Sequence, residues 1–173
     1  QNYHAMTRDQ RFAHDLVIVR DGSSHQGDGR ALTDYFCYGR RILAPGDGEV
    51  VWMCDSLPDQ AIGTGDPAHP VGNGVVIDHG TGEFSVLAHL QPHSLAVRLG
   101  QQVHAGDFIG LCGNSGNPSE PHLHYHLQNG PKPLEGDGFP AVFHELVIDG
   151  KPVTDAEIVK GERVQPGPAT GGK

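Results

Sequence analysis

The chain has 173 residues, room for one domain with a real hydrophobic core. Its formal net charge is −9, from 21 acidic and 12 basic residues, which argues against the basic face that nucleic-acid binding requires. The sequence is 36% apolar with no long apolar run, so no transmembrane helix is expected, and 25 glycines and 13 prolines favour short strands and tight turns over long helices.

In chain order, Leu16 to Val19 reads as a short buried strand entered from Phe12, followed by a polar, Gly-rich loop over 20–34 that is expected to be mobile. Ile42-Leu43-Ala44, a turn at Pro45-Gly46-Asp47-Gly48 and then Glu49 to Met53 read as strand, turn, strand, with Asp-Gly supplying the turn chemistry. A second Pro/Gly-rich loop covers 55–70. Val75-Val76-Ile77 and Phe84 to Leu90 form a further pair turning at Gly80-Thr81-Gly82. Val103, Phe108 to Leu111 and His122 to Leu127 add strands, and the end of 151–173, Pro-Gly-Pro-Ala-Thr-Gly-Gly-Lys, reads as a frayed tail. The expected architecture is all-β with little or no helix, a domain over 1–150 and a C-terminal extension over 151–173.

Cys37, Cys54 and Cys112 make an odd set, which excludes a complete disulfide framework; a Cys37–Cys54 bridge is conceivable because the two flank the expected hairpin. No secretory leader is read, and a start at Gln1 is compatible with removal of an upstream segment on export.

Twelve histidines are the most informative feature of the composition. In His122-Leu123-His124-Tyr125-His126, strand alternation puts the three histidines on one face and Leu123 and Tyr125 on the other. Two imidazoles at i and i+2 can serve one small site, one ligating a metal and its neighbour acting on a water there. The preceding Gly113-Asn114-Ser115-Gly116-Asn117-Pro118-Ser119-Glu120-Pro121 is a tight loop that delivers the strand to a surface.

Gly110-x-x-Gly113-Asn114-Ser115-Gly116 followed by Pro121-His122-Leu123-His124 resembles the signature of the lysostaphin/LytM-type zinc endopeptidases, which cleave peptides of bacterial peptidoglycan. Ala44-Pro45-x-Asp47-Gly48-x-Val50, Gly72-Asn73-x-Val75-x-Ile77-x-His79-Gly80, Ala88-His89-Leu90 and Val97-x-x-Gly100-x-x-Val103-x-x-Gly106 fall in that family's order, with Leu87 where Tyr is usual. The resemblance covers roughly residues 11–130. It implies an antiparallel β-sandwich/barrel-sandwich hybrid with long loops bordering a cleft, and a site holding one zinc ion. It makes His124 a zinc ligand, His122 the general base or proton shuttle, and His89 the second catalytic histidine. Zinc with three protein ligands keeps a fourth position for water and lowers that water's pKa to about 7.

The N-terminal side departs from the family pattern. His-x-x-x-Asp is usual there, and Arg11-Phe12-Ala13-His14-Asp15 aligns its acid as the ligand Asp15 but puts Arg11 at the histidine; arginine stays protonated and cannot ligate zinc. His4, from a segment free to loop back, is the preferred third ligand. His14 is the fallback, because neighbours in a strand face opposite ways. His126 stands where the family often carries Glu and reads as a residue supporting the ligands from behind or simply a buried polar residue; His93 and His104 read as exposed, His25 and His69 as loop residues, His79 and His144 as structural. The function expected is zinc-dependent hydrolysis of a peptide bond in peptidoglycan or another peptide, in an exported protein. The alternative is a non-catalytic binding or regulatory domain that recruits or activates cell-wall enzymes, and Arg11 is the feature favouring it.

Overall fold

The structure, a computed structural model, describes residues 7–167. The described residues are nearly all β: among them are twelve strands and one short 3-10 turn at Leu32–Asp34. Contacts divide the chain into two compact units, Gln1–Phe139 and Pro140–Lys173. Among the described residues no helix is long and apolar enough to cross a membrane.

The first unit is built on an antiparallel sheet of β1 (His14–Leu16), β8 (Leu123–Gln128), β5 (Phe84–Leu90), β4 (Asn73–Asp78), β3 (Gly48–Cys54) and β6 (Gln102–Val103), in that order, with β9 (Gly138–Phe139) also paired to β8. The middle of β4 shows why this sequence makes a central strand. Val75, Val76 and Ile77 are consecutive and all wholly buried, so both faces of the sheet are covered there. Val50, Val86, Leu87, Leu90, Val103 and Ile109 complete the same core at no more than 1% exposure. Asn73 at the head of β4 is equally buried, because its side chain accepts from the Leu57 amide and donates to the carbonyls of Leu57 and Leu90.

Three expectations are corrected here. The segment Ile42–Ala44 does not pair with Glu49–Met53 as a hairpin. Instead β2 (Arg41–Leu43) pairs with β7 (Phe108–Leu111) in a separate ladder, while β3 pairs with β4 and β6. The Asp47-Gly48 turn therefore passes between ladders; a Cβ at position 48 would lie 2.3 Å from the Asp78 carbonyl oxygen, so the close approach admits glycine. The first strand ends at Leu16 rather than running to Val19. Leu16 is paired with Leu123, the first residue of β8, and beyond it no ladder continues, so Val17, Ile18 and Val19 lie exposed. Cys37 does not face Cys54. Its thiol meets that of Cys112, a hydrogen bond that lowers the Cys37 pKa and raises that of Cys112, and it also reaches the Pro121 carbonyl at 2.7 Å. Cys54 lies 3.8 Å from the Asn73 side-chain oxygen, and all three cysteines are free thiols.

The loop over 20–34 is held by local bonds, including the Arg20–Ser23 and His25–Tyr35 bridges, and Ser24 donates to Glu120 at 3.0 Å. In the second unit β10 (Phe143–Ile148) is flanked by β11 (Lys151–Ala156) and β12 (Val164–Pro166). The expected domain boundary near 150 falls in the β10–β11 turn, where Asp149 and Gly150 both have positive φ, +49° and +80°, as a type I′ hairpin requires.

Candidate metal and catalytic site

Strand pairing assembles the site. β8 lies between β1 and β5, and His124 sits in register with Asp15 on one side and Ala88 on the other. Residues directly opposite one another in an antiparallel ladder share a face. Asp15 is thereby brought beside His124, with Asp15 Oδ1 3.0 Å from His124 Nδ1. His122 stands two residues before His124, and its Nε2 lies 3.2 Å from the same carboxylate oxygen, though without hydrogen-bond geometry.

His89 reaches the site by a different device. Strict alternation from Ala88, which faces with His124, would send His89 to the opposite face. The register shows otherwise: Asn73 pairs with Leu90 and Gly74 with Ala88, so His89 is the extra residue of a β-bulge. Its φ is +63°, a left-handed conformation that costs a non-glycine residue about 1–2 kcal/mol. The bulge turns the imidazole back, giving ring centroids 4.8 Å from His122 and 5.7 Å from His124. One ring nitrogen from each of His89, His122 and His124 then falls within a 4.8 Å cluster, and all three residues are buried.

Hydrogen bonds fix which nitrogens face the site. His89 Nδ1 lies 2.9 Å from the Ser115 carbonyl, and His122 Nδ1 lies 2.7 Å from the Glu120 carbonyl. A carbonyl only accepts, so each Nδ1 carries a hydrogen and, in the neutral ring, each Nε2 keeps its lone pair. His122 Nε2 is a buried polar atom without a hydrogen-bond partner, which would cost about 1–3 kcal/mol if nothing ever filled the position. The electrostatics separate the two histidines. Burial, then repulsion from His122 and His124, lowers the His89 pKa well below its usual value. Burial also pulls His122 down, but the Asp15 carboxylate beside it and the Glu120 carbonyl outweigh that, and its pKa is raised.

A cleft of about 310 Å³ opens on this cluster. Asp15 and His122 line one side; Gly63, Thr64 and Gly65 from the 55–70 loop and Asn117, Pro118 and Ser119 line the rest. A Cβ on Gly65 would lie 2.1 Å from the Asn117 side-chain oxygen, so the two loops touch where they form the wall.

Among the ligands expected from sequence, Asp15 and His124 come together with His122 and His89. His4 lies outside the described residues. His14 pairs with Tyr125 and stacks on its ring at 6.5 Å, on the face opposite His124. Arg11 is exposed, its guanidinium 5.8 Å from the Phe12 ring centre. Sequence reasoning missed the parts played by Ser115 and Glu120, whose backbone carbonyls orient the histidines, and by Gln128. His126 is buried as expected, with Nδ1 2.9 Å from His124 Nε2 and Nε2 2.9 Å from the Gln128 side-chain oxygen. A metal ion fits this donor set: imidazole nitrogens and a carboxylate converge, one nitrogen is buried and unpartnered, and zinc takes N and O ligands of this kind.

The model of Peptidase family M23 matches residues 30–135, more than half of the chain. The chain belongs to Peptidase family M23. The M23 match includes His89, His122 and His124, while Asp15 lies before it. Over 90 residues the chain is 47% identical to the peptidoglycan DD-endopeptidase ShyA of Vibrio cholerae, covering 51% of this chain and 17% of that protein. Over 93 residues it is 30% identical to the cell division protein DipM of Caulobacter vibrioides, covering 54% and 13%. The chain thus spans less than a fifth of the length of these relatives. Among solved structures, the catalytic domain of the prophage-encoded M23 protein EnpA from Enterococcus faecalis is 22% identical, with 73% of this chain and 85% of that one covered and a TM-score of 0.46. The catalytic domain of lysostaphin from Staphylococcus simulans gives 23% identity, 54% and 62% coverage, and a TM-score of 0.40.

Proposed function

We propose that this M23 domain is a zinc-dependent endopeptidase that hydrolyses a peptide bond in peptidoglycan cross-links or stem peptides, in the cell envelope or outside the cell. The observation that carries the reading is the clustering of one ring nitrogen from each of His89, His122 and His124 within 4.8 Å of one another, with the Asp15 carboxylate beside His122 and His124. The name of the relative from Vibrio cholerae, a peptidoglycan DD-endopeptidase, supports the substrate class.

Asp15 and His124 would hold the zinc ion, with His4 as the third protein ligand, drawn from the N-terminal segment. When bound, zinc supplies a Lewis acid that polarises a carbonyl and lowers the pKa of water to about 7. The histidines supply the rest. Nε2 of His122 takes a proton from the attacking water and returns it to the departing amine. Its partnership with Asp15 raises proton affinity, which suits a base. His89, whose burial keeps it neutral, cannot compete for that proton; its Nε2 lone pair accepts from the water and orients it. The cleft walls from both loops would bind the peptide backbone and exclude water.

Arginine at position 11 favours a second reading, a domain without catalysis that binds wall components or wall enzymes. Metal analysis separates the two. The endopeptidase takes up one zinc per chain after chelator treatment and re-addition, and releases peptides of defined mass from purified peptidoglycan. A folded chain that takes up no zinc and releases nothing would leave the binding reading.

A further inference from the structure

Behind His124, on the side of the ring away from Asp15, two polar side chains, His126 and Gln128, run in line along the buried face of β8 and end on backbone. The Gln128 amide nitrogen lies 2.6 Å from the Gly130 carbonyl and 2.7 Å from the Lys132 carbonyl. Two carbonyls can only accept, so that atom is the NH2 group and the side-chain oxygen is the one facing His126. This oxygen accepts from His126 Nε2 at 2.9 Å, so Nε2 carries a hydrogen. In a neutral ring Nδ1 is then bare and accepts from His124 Nε2 at 2.9 Å. The last consequence falls on the site itself: His124 Nε2 carries a hydrogen, and Nδ1 presents its lone pair toward Asp15 Oδ1, 3.0 Å away. Two acceptors brought this close call for a cation that both can bind.

We propose that His126 and Gln128 are positioning residues: anchored on the carbonyls of Gly130 and Lys132, they hold His124 in the tautomer that offers Nδ1, and not Nε2, to a metal ion. Each link is buried, with His126 at 1% and Gln128 at 0% exposure, so water cannot substitute for a missing partner. The arrangement also separates the three site histidines by mechanism. Backbone carbonyls set His89 and His122 directly, whereas His124 is set through two other side chains. A second imidazole in such a chain transmits polarity only if its two nitrogens hold opposite roles, so residue 126 must be able to accept at one end and donate at the other. The effect on metal affinity rests on the zinc reading above; the tautomers do not.

The test is a long-range proton–nitrogen NMR spectrum of the histidines in the 15N-labelled full chain, recorded without metal and with zinc. The expected result is His126 with hydrogen on Nε2 and a bare Nδ1 in both states, His124 with hydrogen on Nε2, and zinc shifting His124 Nδ1 alone among the nitrogens of these two rings. Hydrogen on His126 Nδ1, or zinc bound through His124 Nε2, overturns the proposal. Zinc affinity by chelator competition supplies the second readout. His126→Leu leaves the His124 N–H buried and unpaired and should raise the dissociation constant about 10–100-fold. His126→Gln, which can accept from His124 and donate to Gln128, should stay near the native value. A folded His126→Leu chain with native affinity overturns the proposal; if that variant does not fold, the spectra of the native chain still decide. Failure of the native chain to bind zinc removes the metal reading, while the metal-free spectrum continues to decide the tautomers.

Discussion

β8 carries its site residues in the interior of the sheet, and β1 carries Asp15 at the sheet's edge. On β8 and the residue before it, His122 and His124 are each 4% exposed, and their ring orientations are fixed by the Glu120 carbonyl and by His126. β1 is three residues long, Asp15 is exposed, and the chain beyond it runs out as exposed Val17, Ile18 and Val19. A short edge strand opens at low free-energy cost, whereas a central buried strand opens only with the domain. The difference teaches where the site keeps its precision. Imidazoles, whose lone pairs are directional, come from the rigid side; the carboxylate, with two oxygens and several acceptor directions, comes from the pliable side and can follow them.

The comparison is broken most severely from the β8 side. His124→Ala should reduce zinc from one per chain to none by metal analysis, whereas His122→Ala should keep the zinc and lose about 10²–10⁴-fold in turnover. Full zinc and full activity in both variants would put the site elsewhere. Asp15→Asn tests the edge. It keeps the shape but removes the charge from a proposed ligand, so zinc affinity by chelator competition should fall by more than the about 10–100-fold typical of a group that only supports a ligand. The His122 pKa, held up by that carboxylate, should move down, read from the pH titration of its ring signals in metal-free protein. The sign follows from linkage. A raised histidine pKa gives stability that is present below the unfolded value and lost as pH rises through the folded one, so the variant should lose stability at acid pH and little above neutrality. The smallest contrast lies within the N-terminal segment: His4→Ala should weaken zinc, and His14→Ala, whose ring stacks on Tyr125, should barely change it. The reverse order would reassign the third ligand.

The period-2 reading of His122-Leu123-His124-Tyr125-His126 predicted the shared face, because alternation is a local property of any strand. The apolar runs of β4 and β5 were equally plain. What could not be read locally was pairing. Asp47-Gly48 has good turn chemistry, yet β2 finds its partner in β7, more than sixty residues away, and no turn residue encodes that choice. The end of β1 is set by where β8 begins. The β10–β11 hairpin could have been found: Asp149-Gly150 follows Leu146-Val147-Ile148, although Pro152 and the charged residues around it weaken the strand pattern. In the site, the roles of Ser115 and Glu120 were hidden because backbone carbonyls have no sequence signature.

The bulge at His89 sets fitness for function against fitness of the fold. Glycine is the residue that a left-handed backbone accepts without strain. His89→Gly should therefore melt above His89→Ala, by about 2–4 °C for each kcal/mol of strain relieved, though both lack the imidazole and neither should turn over substrate. Equal melting points would remove the strain. A library of this domain sorted by thermal survival alone would enrich for the loss of the histidine proposed to act in catalysis, so under that proposal selection for a robust scaffold and selection for a working one diverge at a single position.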